Sequence, residues 1–387
     1  MMLKTKVIVT LCAAIFGTMA GAGTAQVDSK KALTIGIVES TSGVGAAYGE
    51  AHHKGTQLAL EEINKAGGFD GKPIVFYTED DHTDPAAGTD AVKKLITQRK
   101  VDVIVGSNAS VVTLAFSKES EKYKVPVVNG QAGSPAITEQ GYKYIWRISL
   151  TDAQLDTKII EYYLSVLGMK KVAFLVENSD YGKLPTKAAA EKIEELGGSV
   201  TAYEEYNLNE TDFKAQLANI KNSNPQVVFV HGHYPEGSII ARQLKDLGIK
   251  AQLIVNTGQG VKKFTELAGE ASEGVVFPAM WLPGLPEERS KKFESAFKAK
   301  YGLVPGENEA GAYGAGAYEA IYTVVEAAKL GGGTGSPQIQ EGLKRLRGFN
   351  TMLGPINFDS KNQNNGSVRL ATFSGKKAVL LKSFSSK

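Results

Sequence analysis

Short apolar segments rich in β-branched residues alternate along this chain with longer amphipathic segments. Residues 33–38 form the first apolar segment, and residues 48–66 form the amphipathic segment that follows it. The apolar segments have the length of buried strands, and the amphipathic segments have helical periodicity. Strands that alternate with helices build a parallel sheet with helices on both of its faces. The sequence therefore predicts an α/β fold.

The alternation of strands and helices restarts near Asp152, which indicates two lobes of similar, Rossmann-like build. Each lobe is predicted to be a parallel sheet flanked by helices, and a hinge joins the two. The strands predicted for the two lobes are residues 33–38, 73–77, 101–106 and 125–128, followed by 171–176, 227–230 and 252–255. The cleft between two hinged lobes is the expected ligand site.

The remainder of the chain contains too few predicted strands for a third domain. Helices are expected at residues 286–301 and 310–330, and a flexible surface loop at the glycine-rich residues 331–337. We predict that this part returns to complete both lobes. The expected N-terminal lobe is residues 31–148 plus 279–352, and the C-terminal lobe is residues 149–278 plus 353–387.

The first 25 residues have the three parts of a secretory signal peptide. Lys4 and Lys6 give a positive start, and residues 7–19 are apolar but too short to span a bilayer. Small residues precede the predicted cleavage site near Ala25. The mature protein is therefore expected in the periplasm.

Charge and cysteine content exclude several classes of function. Removal of Lys4 and Lys6 from the 44 basic residues leaves 42, against 41 acidic residues, so the mature chain has no net field that favours nucleic acid. The single cysteine, Cys12, lies in the predicted signal peptide. Disulfides, thiolate catalysis and cysteine metal sites are thus excluded from the mature chain.

A glycine-containing loop after the first strand imitates a dinucleotide-binding turn. Gly43, Gly45 and Gly49 are followed by a helix and by the acidic pair Glu79-Asp80. However, four residues separate Gly43 from the strand, and no third glycine stands where helix and strand would pack closely. We interpret the loop as one that bends over a cleft, and an NAD-dependent enzyme remains a remote alternative.

The patterns of other enzymes and metal sites are missing. His231 and His233 flank one strand end, but further zinc ligands are not evident. Residues 80–84 lack calcium-loop spacing and are interpreted as a solvated strand end followed by a helix capped by Asp84. Neither a nucleophile elbow nor a phosphate-binding loop occurs. The sequence predicts no catalytic residue, no metal and no cofactor.

Polar residues follow two of the predicted strands, where open α/β sheets bind ligands. Residues 106–110 end one strand and open a helix, so backbone N–H groups and the Ser110 hydroxyl are suited to a carboxylate. Capping of the helix by Ser107 or Ser110 is an equal alternative. Residues 129–135 follow the next strand in the same way. Tyr48 either stacks on a bound solute or is an ordinary exposed aromatic at a helix start.

Taken together, these features resemble the type I periplasmic solute-binding proteins of ABC importers, in the leucine/isoleucine/valine-binding branch. The resemblance covers about residues 31–380. It is carried by the segments 42–49 (Ser-Gly-Val-Gly-Ala-Ala-Tyr-Gly), 62–68 (Glu-Ile-Asn-Lys-Ala-Gly-Gly), 80–85, 134–142, 180–182 (Asp-Tyr-Gly), 234–236 (Tyr-Pro-Glu) and 354–359 (Gly-Pro-Ile-Asn-Phe-Asp).

The resemblance implies two lobes that close on a solute and then dock on a membrane permease. In this family a serine binds the ligand carboxylate, a main-chain carbonyl and a threonine hydroxyl lie beside it, and an acid pairs with the ligand ammonium. The corresponding positions of this chain, with the aromatic of the first loop placed first, are Tyr48, Ser110, Gln131, Gly133, His233 and Thr257 (or, with a two-residue shift, Gln259), and Asn308 falls near an apolar contact.

Four of these positions depart from the residue types of amino-acid binders: Gly133, His233 (a tyrosine position), Thr257 and Asn308. The expected solute is a branched-chain or other neutral amino acid. The alternatives are an aromatic or other carboxylate without an α-amino group and an amide or urea-like solute. The protein is expected to be a monomer whose partner is an ABC permease, with a sensor receptor as the alternative partner.

Overall fold

Two sheets, each built mainly from parallel strands, organise the fold in the computed structural model, which describes residues 31–303 and 311–384. The first sheet has the strand order β2-β1-β3-β4-β5, and all of its strands are parallel. Its strands and the helices between them are β1 Thr34–Glu39, α1 Ala46–Lys65, β2 Val75–Asp80, α2 Pro85–Thr97, β3 Val103–Gly106, α3 Ser110–Tyr123, β4 Val127–Asn129, α4 Ala136–Glu139 and β5 Ile145–Arg147.

The second sheet has seven strands in the order β14-β13-β10-β9-β8-β6-β7. Strands β6 to β10 are parallel, whereas β13 and β14 are antiparallel. The elements are α5 Asp152–Ser165, β6 Lys171–Glu177, α6 Asp180–Glu195, β7 Ser199–Tyr206, α7 Lys214–Asn222, β8 Val227–His231, α8 Tyr234–Asp246, β9 Gln252–Val255, α9 Lys262–Ala268, β10 Val276–Ala279, β13 Val368–Ser374 and β14 Lys377–Phe384.

The chain returns to the first sheet after β10. Helices α10 (Glu288–Tyr301) and α11 (Gly311–Gly331) both pack against α1, and α12 (Ser336–Arg345) packs against α11. The hairpin of β11 (Arg347–Thr351) and β12 (Gly354–Asn357) then leads back to β13. The predicted lobe boundaries remain a prediction.

The predicted α/β fold with two lobes is confirmed, and the strands that the sequence did not predict include β5, β7 and the buried inner strand β10. β7 was not predicted because it is an edge strand whose sequence mixes Glu and Tyr with small residues, and the short β5 has only three residues. The predicted flexible loop at 331–337 is too long, because α11 includes Gly331 and α12 begins at Ser336.

Arg147 and Arg369 hold the segments that connect the lobes. Arg147, at the end of β5, is fully buried and donates to Gln363 Oε1, to the carbonyls of Ala132 and Ser134, and to Thr138 Oγ1. Arg369 of β13 donates to the Met280 and Met352 carbonyls and contacts Glu287 at 3.0 Å. Each guanidinium therefore joins stretches that are far apart in sequence.

The predicted cap of α2 is confirmed and gives a stability test. Asp84 Oδ1 accepts hydrogen bonds from the amides of Ala86 (2.9 Å) and Ala87 (2.8 Å), and Pro85 follows it. We expect Asp84→Ala to lower the free energy of unfolding by about 1 kcal/mol, because two N–H groups lose their acceptor. Urea denaturation measures the change. Asp90→Ala is the control, since Asp90 lies on the exposed face of the same helix and should change stability much less.

Candidate ligand-binding cleft

Aromatic side chains from both lobes meet where the carboxyl ends of the two sets of strands approach each other. The Tyr48 hydroxyl, on α1, donates to the Gly258 carbonyl just after β9, at 3.1 Å. The centroid of the Tyr48 ring lies 5.9 Å from that of Tyr234 and 4.7 Å from that of Tyr313. Tyr48 is thus buried between lobes and is not an exposed aromatic at a helix start.

Ser110 lies on the N-terminal lobe's side of this cleft, at the first residue of α3. Its Oγ accepts a hydrogen bond from the Ser134 amide at 3.2 Å. It does not cap its own helix, which begins without a side-chain cap. Ser107 instead accepts from the Ala109 amide. The Ser110 hydroxyl hydrogen has no acceptor among residues 31–303 and 311–384, so it is suited to an anionic ligand atom.

Asp81 fixes the loops that surround Ser110 and Tyr48. Its carboxylate accepts from Ser40 Oγ at 2.6 Å and from Ser107 Oγ at 2.5 Å. The interpretation of residues 80–84 as a solvated strand end is therefore wrong for Asp81, which is fully buried. A buried carboxylate needs such donors, and here they come from the loops after β1 and β3. The consequence is a rigid edge for the cleft.

Gly133 lies against the carboxylate of Asp152, a residue that the sequence analysis did not include in the site. Asp152 is the first residue of α5 and donates its amide to the Gly133 carbonyl at 2.9 Å. A Cβ atom on residue 133 would lie 2.3 Å from Asp152 Oδ2. Glycine at 133 therefore leaves room for a carboxylate. Asp152 is 2% exposed, and its Oδ2 has no hydrogen-bond partner in the described part of the chain.

Two further polar residues continue from Asp152 into the C-terminal lobe. Asp156 follows one turn later on α5, and its Oδ2 lies 3.3 Å from His231 Nε2 at the end of β8. Both side chains are fully buried. Burial raises the pKa of Asp156. For His231, burial alone lowers the pKa, but Asp156, Asp152 and Glu177 together outweigh it and raise the pKa.

Tyr181 and His233 form the opposite wall. The Tyr181 ring stacks on His233 with centroids 5.0 Å apart and contacts the His231 ring edge-on at the same distance. The Tyr181 hydroxyl accepts from Asn256 Nδ2 at 2.7 Å. His233, the N-cap residue of α8, places Nε2 3.5 Å from Glu177 Oε2. Tyr181 belongs to the Asp-Tyr-Gly segment of the resemblance, a signal that could have identified it.

The remaining predicted site residues are Gln131, Thr257, Gln259 and Asn308. Gln131 is buried, and its side-chain amide donates to the Tyr313 carbonyl. Thr257 is half-buried in the turn beside Gly258. The Gln259 amide instead points into its own lobe, where it donates to the Val230 carbonyl and to Asn256 Oδ1, so Thr257 suits the cleft better. Asn308 lies outside the described residues, as do the predicted signal peptide and Cys12.

The ionisation of the Asp152 carboxyl makes the stability of the folded protein depend on pH. Burial raises its pKa from 3.8 to about 6. Between these two values the folded protein holds a proton that the unfolded chain has released. Stability of the ligand-free protein therefore falls as pH rises through this window.

We expect Asp152→Asn to raise the free energy of unfolding by about 1–3 kcal/mol near pH 8, because the buried charge is removed. Near pH 4 the variant and the parent should be equally stable. Urea denaturation of ligand-free protein across this pH range measures the difference. A constant difference at all pH values would contradict the assigned ionisation.

The two lobes and the polar cleft between them define a solute-binding protein. A family model described as periplasmic binding protein matches residues 32–378. The chain belongs to the periplasmic binding protein family, in the leucine/isoleucine/valine-binding branch of ABC-importer proteins. The predicted resemblance and type I fold are confirmed.

Individual relatives support this assignment. The chain is 30% identical to the Leu/Ile/Val-binding protein homolog 1 of Brucella abortus, covering 90% of this chain and 91% of the relative. It is 28% identical to a Pseudomonas aeruginosa protein named for binding leucine, isoleucine, valine, threonine and alanine, with 90% and 91% covered. LivJ of Streptococcus pneumoniae, solved with isoleucine, is 30% identical with a TM-score of 0.81, covering 91% of this chain and 100% of LivJ.

No helix in the described part of the chain is long and apolar enough to cross a membrane. The family places its members outside the cytoplasm, consistent with the predicted export. The cleavage near Ala25 stays a prediction.

Proposed function

We propose that this protein is the periplasmic substrate-binding component of an ABC importer and binds an α-amino acid between its lobes. The observation that carries the proposal is the position of two groups around Gly133 and Ser134. The Asp152 carboxylate lies against Gly133, and the Ser110 hydroxyl contacts the Ser134 amide. The Asp152 carboxylate, an acceptor for an ammonium, and the Ser110 hydroxyl, a donor for a carboxylate, therefore lie beside two adjacent residues.

Each group suits one end of an amino acid. Ser110 opens α3, so that the helix N-terminus adds a favourable potential for a carboxylate. The Asp152 carboxylate compensates a buried ammonium, which the family's acid does at a different position. The relatives named for amino-acid binding, and LivJ in complex with isoleucine, also support an amino acid.

Binding and lobe closure are coupled in this proposal. Ser110 and Gln131 belong to the N-terminal lobe, and Tyr181 and His233 to the C-terminal lobe. A solute that contacts both sets has all of its contacts only when the lobes are together, so it shifts the population towards the closed arrangement. The closed form then docks on a permease, which takes up the solute.

The test is a thermal-shift screen of refolded, ligand-stripped mature protein with the common L-amino acids, followed by calorimetric titration of the best one. Two analogues are titrated beside it, one without the α-amino group and one with the carboxylate converted to an amide. Each should bind about 100-fold more weakly or worse, because a buried partner is left unpaired. Equal affinity of the desamino analogue would contradict the proposal.

A carboxylate with an aromatic ring and no amino group is the second candidate. The observation in its favour is the group of rings formed by buried Tyr48 and half-buried Tyr181 and Tyr313, which can pack against a planar solute. Benzoate and coumarate-type acids, with simple amides, belong in the same screen. Uptake of the labelled ligand by cells with and without this protein then distinguishes transport from presentation to a sensor.

A further inference from the structure

Buried acceptor atoms without partners accumulate on the C-terminal lobe's side of the cleft. Asp152, Asp156 and Glu177 are at most 5% exposed, yet Asp152 Oδ2 and Asp156 Oδ1 have no hydrogen-bond partner among the described residues, and Asp156 Oδ2 and Glu177 Oε2 have only a histidine at 3.3 and 3.5 Å. Buried polar atoms in native proteins are almost always paired, with protein, water or ligand. This local concentration therefore indicates a bound group that donates hydrogen bonds.

The three carboxylates form one continuous surface with two histidines, here named the carboxylate–histidine wall (Asp152, Asp156, Glu177, His231 and His233). Asp156 lies 3.3 Å from His231, and Glu177 lies 3.5 Å from His233. The Tyr181 ring contacts both imidazoles. One end of the wall, Asp152, touches Gly133, which lies beside the proposed amino-acid backbone site.

An independent observation comes from His231, which is not an acid. It is fully buried, and neither ring nitrogen has a hydrogen bond of good geometry within the described residues. Its Nε2 faces Asp156 Oδ2 at 3.3 Å, whereas its Nδ1 has no partner among the described residues, although buried polar atoms are almost always paired. It also faces the same side of the cleft as the unpaired carboxylate oxygens.

We infer that the solute's side chain carries a nitrogen that donates hydrogen bonds, as an amine or guanidine, and that the carboxylates of Asp156 and Glu177 receive it, with His231 positioning Asp156. The inference rests on the proposed function, because Asp152 and Ser110 are assigned to the backbone of the solute. An aliphatic side chain would desolvate these carboxylates without replacing their lost water. A cationic nitrogen instead supplies both donors and opposite charge, and Tyr181 adds an aromatic face.

The test compares side chains of equal length that differ in one terminal group. L-ornithine is titrated against L-norvaline, and L-lysine against L-norleucine, with L-2,4-diaminobutyrate and L-arginine to vary the length. We expect the best amine to bind about 100-fold more tightly than its methyl counterpart, as expected for a site built around a hydrogen-bonding group. Equal or tighter binding of norvaline or norleucine would overturn the inference.

Two variants test which residues of the carboxylate–histidine wall contribute to binding of the side-chain nitrogen. Asp156→Asn and His231→Gln should each reduce the preference for amine over methyl by about tenfold or more, while binding of the methyl amino acid changes little. Asp212→Asn, an exposed acid of the same lobe before α7, is the matched control and should change neither. Unchanged preference in both folded wall variants would contradict the assigned residues.

The outcomes separate this inference from the proposed function. Binding of leucine or norleucine above every amine retains the amino-acid site but removes the nitrogen-bearing side chain. Binding only of acids that lack an α-amino group contradicts the proposed function itself. Because the isostere comparison uses the unmodified protein, a failure of one variant to fold leaves the test intact.

Discussion

Replacing Asp152 with asparagine should weaken binding of the best amino acid by about 100-fold or more, equivalent to about 3 kcal/mol. The substitution retains the size of the side chain but removes the charge opposite the ligand ammonium. Calorimetric titration near neutral pH measures the loss. The same variant is expected to be more stable without ligand, so weaker binding cannot be attributed to unfolding.

Asp180→Asn is the matched control for this prediction. Asp180 is also the first residue of a helix in the C-terminal lobe, but its side chain is exposed. Its replacement should leave affinity unchanged. If Asp152→Asn binds as tightly as the parent protein, the ligand ammonium does not contact Asp152 and the proposed arrangement is wrong.

Replacing Arg147 with leucine should lower the free energy of unfolding by about 3–5 kcal/mol. The guanidinium is fully buried, and its removal leaves the carbonyls of Ala132 and Ser134, Gln363 Oε1 and Thr138 Oγ1 without their donor. Chemical denaturation of the ligand-free protein measures the effect.

Arg345→Leu provides the comparison for Arg147. Arg345 lies at the exposed end of α12 and pairs with Glu341 at 3.0 Å, an interaction of the kind that contributes little to stability. A loss below about 1 kcal/mol for Arg147→Leu would mean that water replaces the guanidinium at its four acceptors.

The parallel core strands were predictable from the sequence because a buried strand is an uninterrupted apolar segment. Residues 171–176 and 227–230 are such segments, and both lie in strands of the second sheet. The edge strand β7 was not predictable from the sequence, because its side chains are half exposed and do not form an uninterrupted apolar segment. The buried inner strand β10 is an exception, because Pro278 interrupts its short apolar segment.

The site was predictable only where a residue lies in a recognisable loop. Ser110 and Tyr48 were predicted in this way, and both lie beside the proposed cleft. Asp152 was not predicted, because the resemblance aligns the family's acid with residues 257–259, whereas this carboxylate comes from the start of α5 and lies against Gly133. Gly133 and Asp152 are distant in sequence but lie in contact in the structure. The space that a glycine at 133 leaves for the acid at 152 can therefore be recognised only from the structure.

The hydrogen bond from Tyr48 to the Gly258 carbonyl joins the lobes without any atom of the solute. Such a contact favours closure of empty and loaded protein alike. It reduces the free energy that the solute must supply, and so raises apparent affinity. In the proposed transport role, it also raises the share of empty protein in the closed form that would dock on the permease. Its strength therefore sets a compromise between scavenging a dilute nutrient and avoiding unproductive encounters with the transporter.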